Sequence, residues 1–248
     1  MTDTPKKSDL PVRTASAIVM VAVAGTALWL GGWVWTLFVA AVALGVLWEW
    51  TRLFLAFTRS IAIRIIWGIV GATYVIVAAY ALIASRGLLS DVPSEFLDRL
   101  SHPSVMALWP TLRILVSVAA VDVGAYFSGR KIGGPKIAPT ISPSKTWSGL
   151  LGGILAAILV LVLFEWFYFR FIGGCHLEPC KSSLEGLIWI GSLTAILAQS
   201  GDFFESWMKR QAGVKDSGTL IPGHGGLFDR VDGLLAVAFA IGLLRLIL

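Results

Sequence analysis

The sequence predicts an all-α fold: a polytopic membrane helix bundle of about seven crossings, N-terminus cytoplasmic. Three observations predict it. Of 248 residues, 56% are apolar and 14% charged, against roughly 25% charged in an ordinary soluble domain. The apolar residues fall into runs of about 20, the length a helix needs to cross hydrocarbon. The Lys and Arg residues gather in alternate connecting segments, as they do on the cytoplasmic side of membrane proteins. A mean hydropathy of +0.80 and 11 Trp agree. This composition excludes a soluble enzyme, a disordered chain and an ordinary DNA-binding domain. The pI near 9.4 therefore reports topology, and no nucleic-acid partner is expected.

Taken in order, residues 1–14 form a polar tail with Lys6, Lys7 and Arg13. The uncharged run from Thr14 to Trp48 is too long for a signal peptide. From Ala15 it has room for two spans joined at Gly31 and Gly32. A third span is expected from Ile65 to Ala84. A fourth, from Trp109 to Phe127, is interrupted by Arg113 and Asp122. A fifth runs from Trp147 to Glu165, a short sixth from Gly186 to Gly201, and a seventh from Gly233 to Leu248. This divides the chain into the tail 1–14, a first membrane region 15–108 and a catalytic region 109–248 with cytoplasmic loops 128–148 and 202–231. About 14 of the 20 bases fall inside on this topology, as the positive-inside rule requires. Arg86, Arg99, Arg170 and Lys181 fall outside. So do Cys175 and Cys180, where a disulfide is permitted but not compelled by their spacing.

Two inside loops are crowded with Gly, Pro and charge. Asp122, Asp202, Asp229 and Asp232 lie at membrane depth or at helix ends, where an ionisable group is expensive and marks function. Hard carboxylate oxygens suit Mg²⁺, which shares its coordination with substrate phosphates. Lys145, Lys209, Arg210, Lys215 and Arg230 lie among them. The Gly-rich turn from Pro222 to Gly226 lets backbone N–H groups approach an anion closely. Asp202, Glu205 or Ser206, and Lys209 share one helical face, as do Asp229 and Asp232. Acids for a metal, bases for phosphate and Gly turns at the inner face point to a nucleoside triphosphate with Mg²⁺ and a lipid as second substrate.

The stretch from Ser206 to Asp232, with Lys209, Arg210, Lys215, Asp216, Ser217, Gly218, the Leu220 to Gly226 run, Asp229 and Arg230, resembles the signature of phosphatidate cytidylyltransferases. Asp122 with Gly124 to Tyr126, Gly129 and Arg130, and the Ala138 to Thr146 segment, resemble upstream motifs of that family. Trp48, Glu49 and Trp50 resemble a further, weaker feature. The likeness is strong in the C-terminal half and only hydropathic before it. Ser148 departs from the acidic or amide residue of many members, and the chain is shorter than many bacterial ones.

The resemblance implies transfer of the cytidylyl group of CTP to phosphatidic acid, giving CDP-diacylglycerol and pyrophosphate. Asp202 and Asp229 are the first-choice Mg²⁺ ligands, with Asp232 and Asp122 next and room for a second cation. Lys209, Arg210, Lys215 and Arg230 hold triphosphate or lipid phosphate. Lys145, Ser142 and Ser144 bind a phosphate from the other loop. Asp216 orients Lys215 or reaches the metal, and His224 contacts phosphate or leaving group. CTP, phosphatidic acid and membrane lipids are the partners, a homodimer is allowed, and the bacterial inner membrane is the location. The alternatives are a CTP-dependent polyprenol or phytol kinase, and an ion-coupled transporter, against which the lack of an evident repeat speaks.

The base count makes sidedness testable. A Cys introduced at Thr219, in a Cys175→Ser, Cys180→Ser background, is expected to react with a membrane-impermeant thiol reagent from the cytoplasmic side only. Labelling of intact cells at that position would reverse the topology.

Overall fold

A computed structural model describes residues 10–86, 105–172 and 183–248. Cys175 and Cys180, and the tail before Leu10, lie outside the described residues. Among these residues seven α-helices follow one another: α1 (Leu10–Leu30), α2 (Gly32–Phe57), α3 (Ile61–Ser85), α4 (Val105–Lys131), α5 (Trp147–Phe167), α6 (Leu184–Ala212) and α7 (Phe228–Ile247). A π-helical turn, Tyr168–Ile172, extends α5. Between α4 and α5 stands a two-stranded antiparallel hairpin, β1 (Lys136–Ala138) and β2 (Ser142–Thr146), so this connection is a built element.

Six helices, α1 to α6, are long and apolar enough to cross a membrane, and the chain is an integral membrane protein. The expected seventh crossing is different in kind. Helix α7 begins five residues earlier than the apolar run and takes Asp229, Arg230 and Asp232 into its first turns. It is nevertheless central. Leu235 and Ala238 join the cluster built with α2 and α3, while Val237 joins the one built with α4, α5 and α6. Small residues let α7 sit that deep. A Cβ on Gly242 would meet Val77 Cγ1 at 2.8 Å, and one on Gly201 of α6 would meet Ala236 Cβ at 2.8 Å. Close approach of small residues is how helices gain contact where lipid is as apolar as their side chains.

The helices also outrun their apolar cores. Helix α2 continues past Trp48 to Phe57, so Glu49 and Trp50 are helical and buried. Trp50 is ringed by Trp67, Tyr74, Phe204 and Phe228 at 5.5–6.0 Å between centroids, and its indole N–H donates to the Trp67 carbonyl at 3.0 Å. Trp29, Trp33, Trp166 and Trp189, in contrast, are exposed. Helix α6 runs on to Ala212, where Gly213 takes a left-handed φ of 69° and its N–H closes on the Arg210 carbonyl. That conformation is cheapest for Gly and ends the helix there.

Arg86, one of the bases expected on the outer side, is 7% exposed. Its guanidinium donates to the carbonyls of Leu28 and Trp29 at 3.0 and 3.3 Å, which the end of α1 leaves without helical partners. Arg86→Met should therefore lower stability by about 1–3 kcal/mol, the cost of stranding buried carbonyls. A melt in detergent checks this, with Arg245→Met as a control expected to behave as wild type.

Candidate active site

A cavity of about 870 Å³ lies between α4, the hairpin, the start of α5, α6, the 213–227 loop and the first turns of α7. The local sequence explains each wall. On α6, Asp202, Glu205, Ser206 and Lys209 recur at helical spacing, so one face carries them all into the cavity. Helix α4 brings Asp122. The hairpin brings Ser144 and Lys145, and ends where the Thr146 hydroxyl accepts the Gly149 N–H to cap α5. Ser148, the departure noted above, bonds the Gly133 carbonyl and so anchors the approach to the hairpin.

The two signature loops meet. Lys145 of the hairpin forms an ion pair with Asp202 of α6. Asp202, Glu205 and Asp232 each offer a carboxylate oxygen within 4.8 Å of the others. Octahedral Mg²⁺, with bonds of about 2.0–2.1 Å, holds its ligand oxygens about 3–4 Å apart. The three-carboxylate set from two helices fits a hard divalent cation. Glu205 was legible as one member of the α6 face, but its spacing did not single it out as a ligand. Asp122 lines the cavity beside this group.

Asp229 is not one of the three but adjoins them, hydrogen-bonded to Glu205 and sharing Lys209 with it. Its Oδ1 accepts from Lys209 Nζ at 2.6 Å, and Lys209 also reaches Glu205 at 2.5 Å. Its Oδ2 accepts from the N–H groups of Ser217 and Gly226, both at 2.9 Å, and lies 3.0 Å from the Ser217 hydroxyl. Asp229 stands ahead of the apolar stretch of α7. Burial pushes its carboxyl up, but the hydrogen bonds with Glu205, Lys209 and Ser217 prevail and hold it well below the usual carboxylate range. It stays ionised and binds the loop to α6.

Glu49 completes the frame. It is 0% exposed. Its carboxylate accepts from the N–H groups of Leu227 and Phe228, at 2.9 and 2.8 Å, and from the Ser217 hydroxyl at 2.8 Å. Helix α7 has no cap from its own N-cap side chain; Glu49 of α2 supplies one across the bundle. Gly218 and Gly226 make room, since a Cβ on Gly226 would lie 2.6 Å from Glu49 Oε2. The anion that this Gly-rich turn approaches is thus a carboxylate of the protein.

The remaining residues divide. Lys215, Asp216, Arg210 and Arg230 line the cavity. Arg210 reaches the Ile141 carbonyl at the hairpin tip, and Arg230 the His224 carbonyl at 3.0 Å. Ser142 is buried within the hairpin, and His224 turns its ring to Ser16 of α1 at 2.7 Å; neither lines the cavity.

The model of the cytidylyltransferase family matches residues 89–248, which include every residue of the cavity wall. The chain belongs to the cytidylyltransferase family. It is 35% identical to a protein named phosphatidate cytidylyltransferase from Brucella suis biovar 1, over 93% of this chain and 91% of that one. Identity is also 35% to the Rickettsia bellii protein of that name, over 94% and 89%. A Haemophilus influenzae relative matches at 37% over 56% of this chain. The family match begins after α3, so Glu49 is a cavity support contributed from outside it.

Glu49→Gln turns a donor toward N–H groups that need an acceptor. It should cost about 1–3 kcal/mol of stability and expose the 213–227 loop to protease. Wild-type melting and wild-type protection would remove Glu49 as the anchor of this loop.

Proposed function

We propose that this chain transfers the cytidylyl group of CTP to phosphatidic acid, forming CDP-diacylglycerol and pyrophosphate. One observation carries the reading. The signature shared with the family folds into a single cavity in which its carboxylates and bases, drawn from two loops, face one another. An oxygen of the lipid phosphate attacks the α-phosphorus of CTP. The bond from that phosphorus to the β-phosphate oxygen breaks, and pyrophosphate leaves with the electron pair. Little covalent work falls to the protein, so positioning and charge neutralisation supply the rate.

Lys145, Arg210, Lys215 and Arg230 line the cavity, where they can meet phosphate oxygens. Lys145 and Lys209 already have carboxylate partners, so they are aimed before substrate arrives. Asp202, Glu205 and Asp232 would hold Mg²⁺. Bound there, the ion would neutralise triphosphate charge. Asp229 acts as a positioning residue for Lys209. The base count supports entry of CTP from the cytoplasm and of the lipid from the inner leaflet of a bacterial inner membrane.

The test is purified protein with labelled CTP and phosphatidic acid, with and without Mg²⁺. A CDP-lipid and pyrophosphate are expected; CDP and a phosphorylated lipid would replace this reading with a CTP-dependent lipid kinase. Asp202→Asn keeps size and loses the charge. It should lower turnover at least about a hundredfold, on the scale of losing one preorganised electrostatic contact, with membrane insertion and melting unchanged. Near-normal turnover of this variant at limiting Mg²⁺ would take Asp202 out of the site.

A further inference from the structure

The floor of the cavity carries a residue that neither the signature nor the ion pairs account for. Gln199 lies on α6 one turn deeper than Asp202 and is 5% exposed. It lines the cavity. Among the described residues neither its Nε2 nor its Oε1 has a hydrogen-bond partner. Gly153 of α5 packs beside it, so that a Cβ on Gly153 would lie 3.6 Å from Nε2. An amide stranded in this way is costly, because both its donors and its acceptor lose water without replacement. A hydrophobic side chain of the same length would fill the place at less cost.

The chemistry of the orphan groups narrows the occupant. Gln offers N–H donors beside a carbonyl acceptor, so it is satisfied by a group that accepts and donates side by side. The ester and phosphate oxygens of a diacyl phospholipid only accept, as do those of a triphosphate. The cytosine edge presents the N3 acceptor next to the N4 amino donor. Distance agrees with that assignment. Lys209 stands ten residues further along α6, about 15 Å at helical rise, the reach of an extended nucleotide from base to terminal phosphates.

We propose that Gln199 binds the cytosine edge of the nucleotide, with the base at the cavity floor and the triphosphate running up α6 toward Lys209 and Arg210. This rests on the reading of the cavity as a CTP site. It places the two substrates: the floor belongs to the nucleotide, and the lipid phosphate approaches beside the carboxylates.

Gln199→Leu tests it in mixed micelles of phosphatidic acid. The KM for CTP should rise at least roughly tenfold, the scale on which a site built to hydrogen-bond a substrate loses an unpaired partner. The KM for phosphatidic acid should not move. The ligand-free melting temperature should stay level or rise, because an orphan amide has been removed; a structural role for Gln199 requires it to fall. A CTP analogue lacking the N4 amino group should be a poor substrate for the wild type and suffer little further loss with Gln199→Leu, a non-additivity that marks direct contact. Equal use of dCTP and CTP by wild type, with equal losses in the variant, is expected; a loss confined to CTP would assign Gln199 to the ribose 2′-hydroxyl and overturn the cytosine assignment. Unchanged CTP kinetics, or a raised KM for phosphatidic acid instead, would also overturn it. Gln199→Met carries the same readouts should the Leu variant fail to insert. Failure of the wild type to make a CDP-lipid would instead overturn the functional reading itself.

Discussion

The buried carboxylate of Glu49 is the contact on which the active cavity depends. A helix start leaves backbone N–H groups without partners, and at α7 these groups face the protein interior. Glu49 takes those of Leu227 and Phe228, and Asp229 takes that of Gly226 from within α7 itself. Ser217 bridges the two acids, its hydroxyl donating to Glu49 and its N–H to Asp229. The loop from 213 to 227 is thereby closed on both sides, and Lys215 and Asp216 are delivered to the cavity wall. Charge favours the arrangement too, because anions are stabilised at the positive end of a helix.

A second constraint follows from the low dielectric of the bundle. Acids and bases brought together there must neutralise one another or hold a cation. Lys145 meets Asp202, and Lys209 is shared between Glu205 and Asp229. Two of these paired acids, Asp202 and Glu205, stand with Asp232 in a group of three where a hard divalent ion would relieve the repulsion. The same economy explains why a helix that opens with Asp229, Arg230 and Asp232 can lie at the centre. Helices α3 and α6 cover α7, so its polar first turns face the cavity while its small residues face its neighbours.

Much of this was legible in the sequence. Six of the expected spans match helices α1 to α6, and the α6 face from Asp202 to Lys209 is where spacing puts it. Boundaries were less legible. Hydropathy finds where a chain is apolar, whereas backbone hydrogen bonding continues through charged residues once they have partners. Hence α2 reaches beyond Glu49, α6 reaches Ala212, and α7 starts at Phe228. The hairpin hid behind Pro139 and Pro143, which read as loop but stand at its turn and on its second strand. His224 was expected at the substrate, since Gly neighbours suggest an exposed anion turn; its ring faces Ser16 instead.

Composition and periodicity suffice for an integral membrane protein of α-helices with acids and bases concentrated at one end, because membrane burial is a local property of each segment. The residues from Ser206 to Asp232 carry the family as well, since their spacing serves one constellation. Which acids stand together is another matter. Glu49 and Ser217 are far apart in the chain, as are Lys145 and Asp202, and no period in the sequence relates them. Their pairing follows from the packing of α2, the hairpin, α6 and α7, which brings a buried carboxylate against unpartnered N–H groups and, among the described residues, leaves the Gln199 amide without a partner.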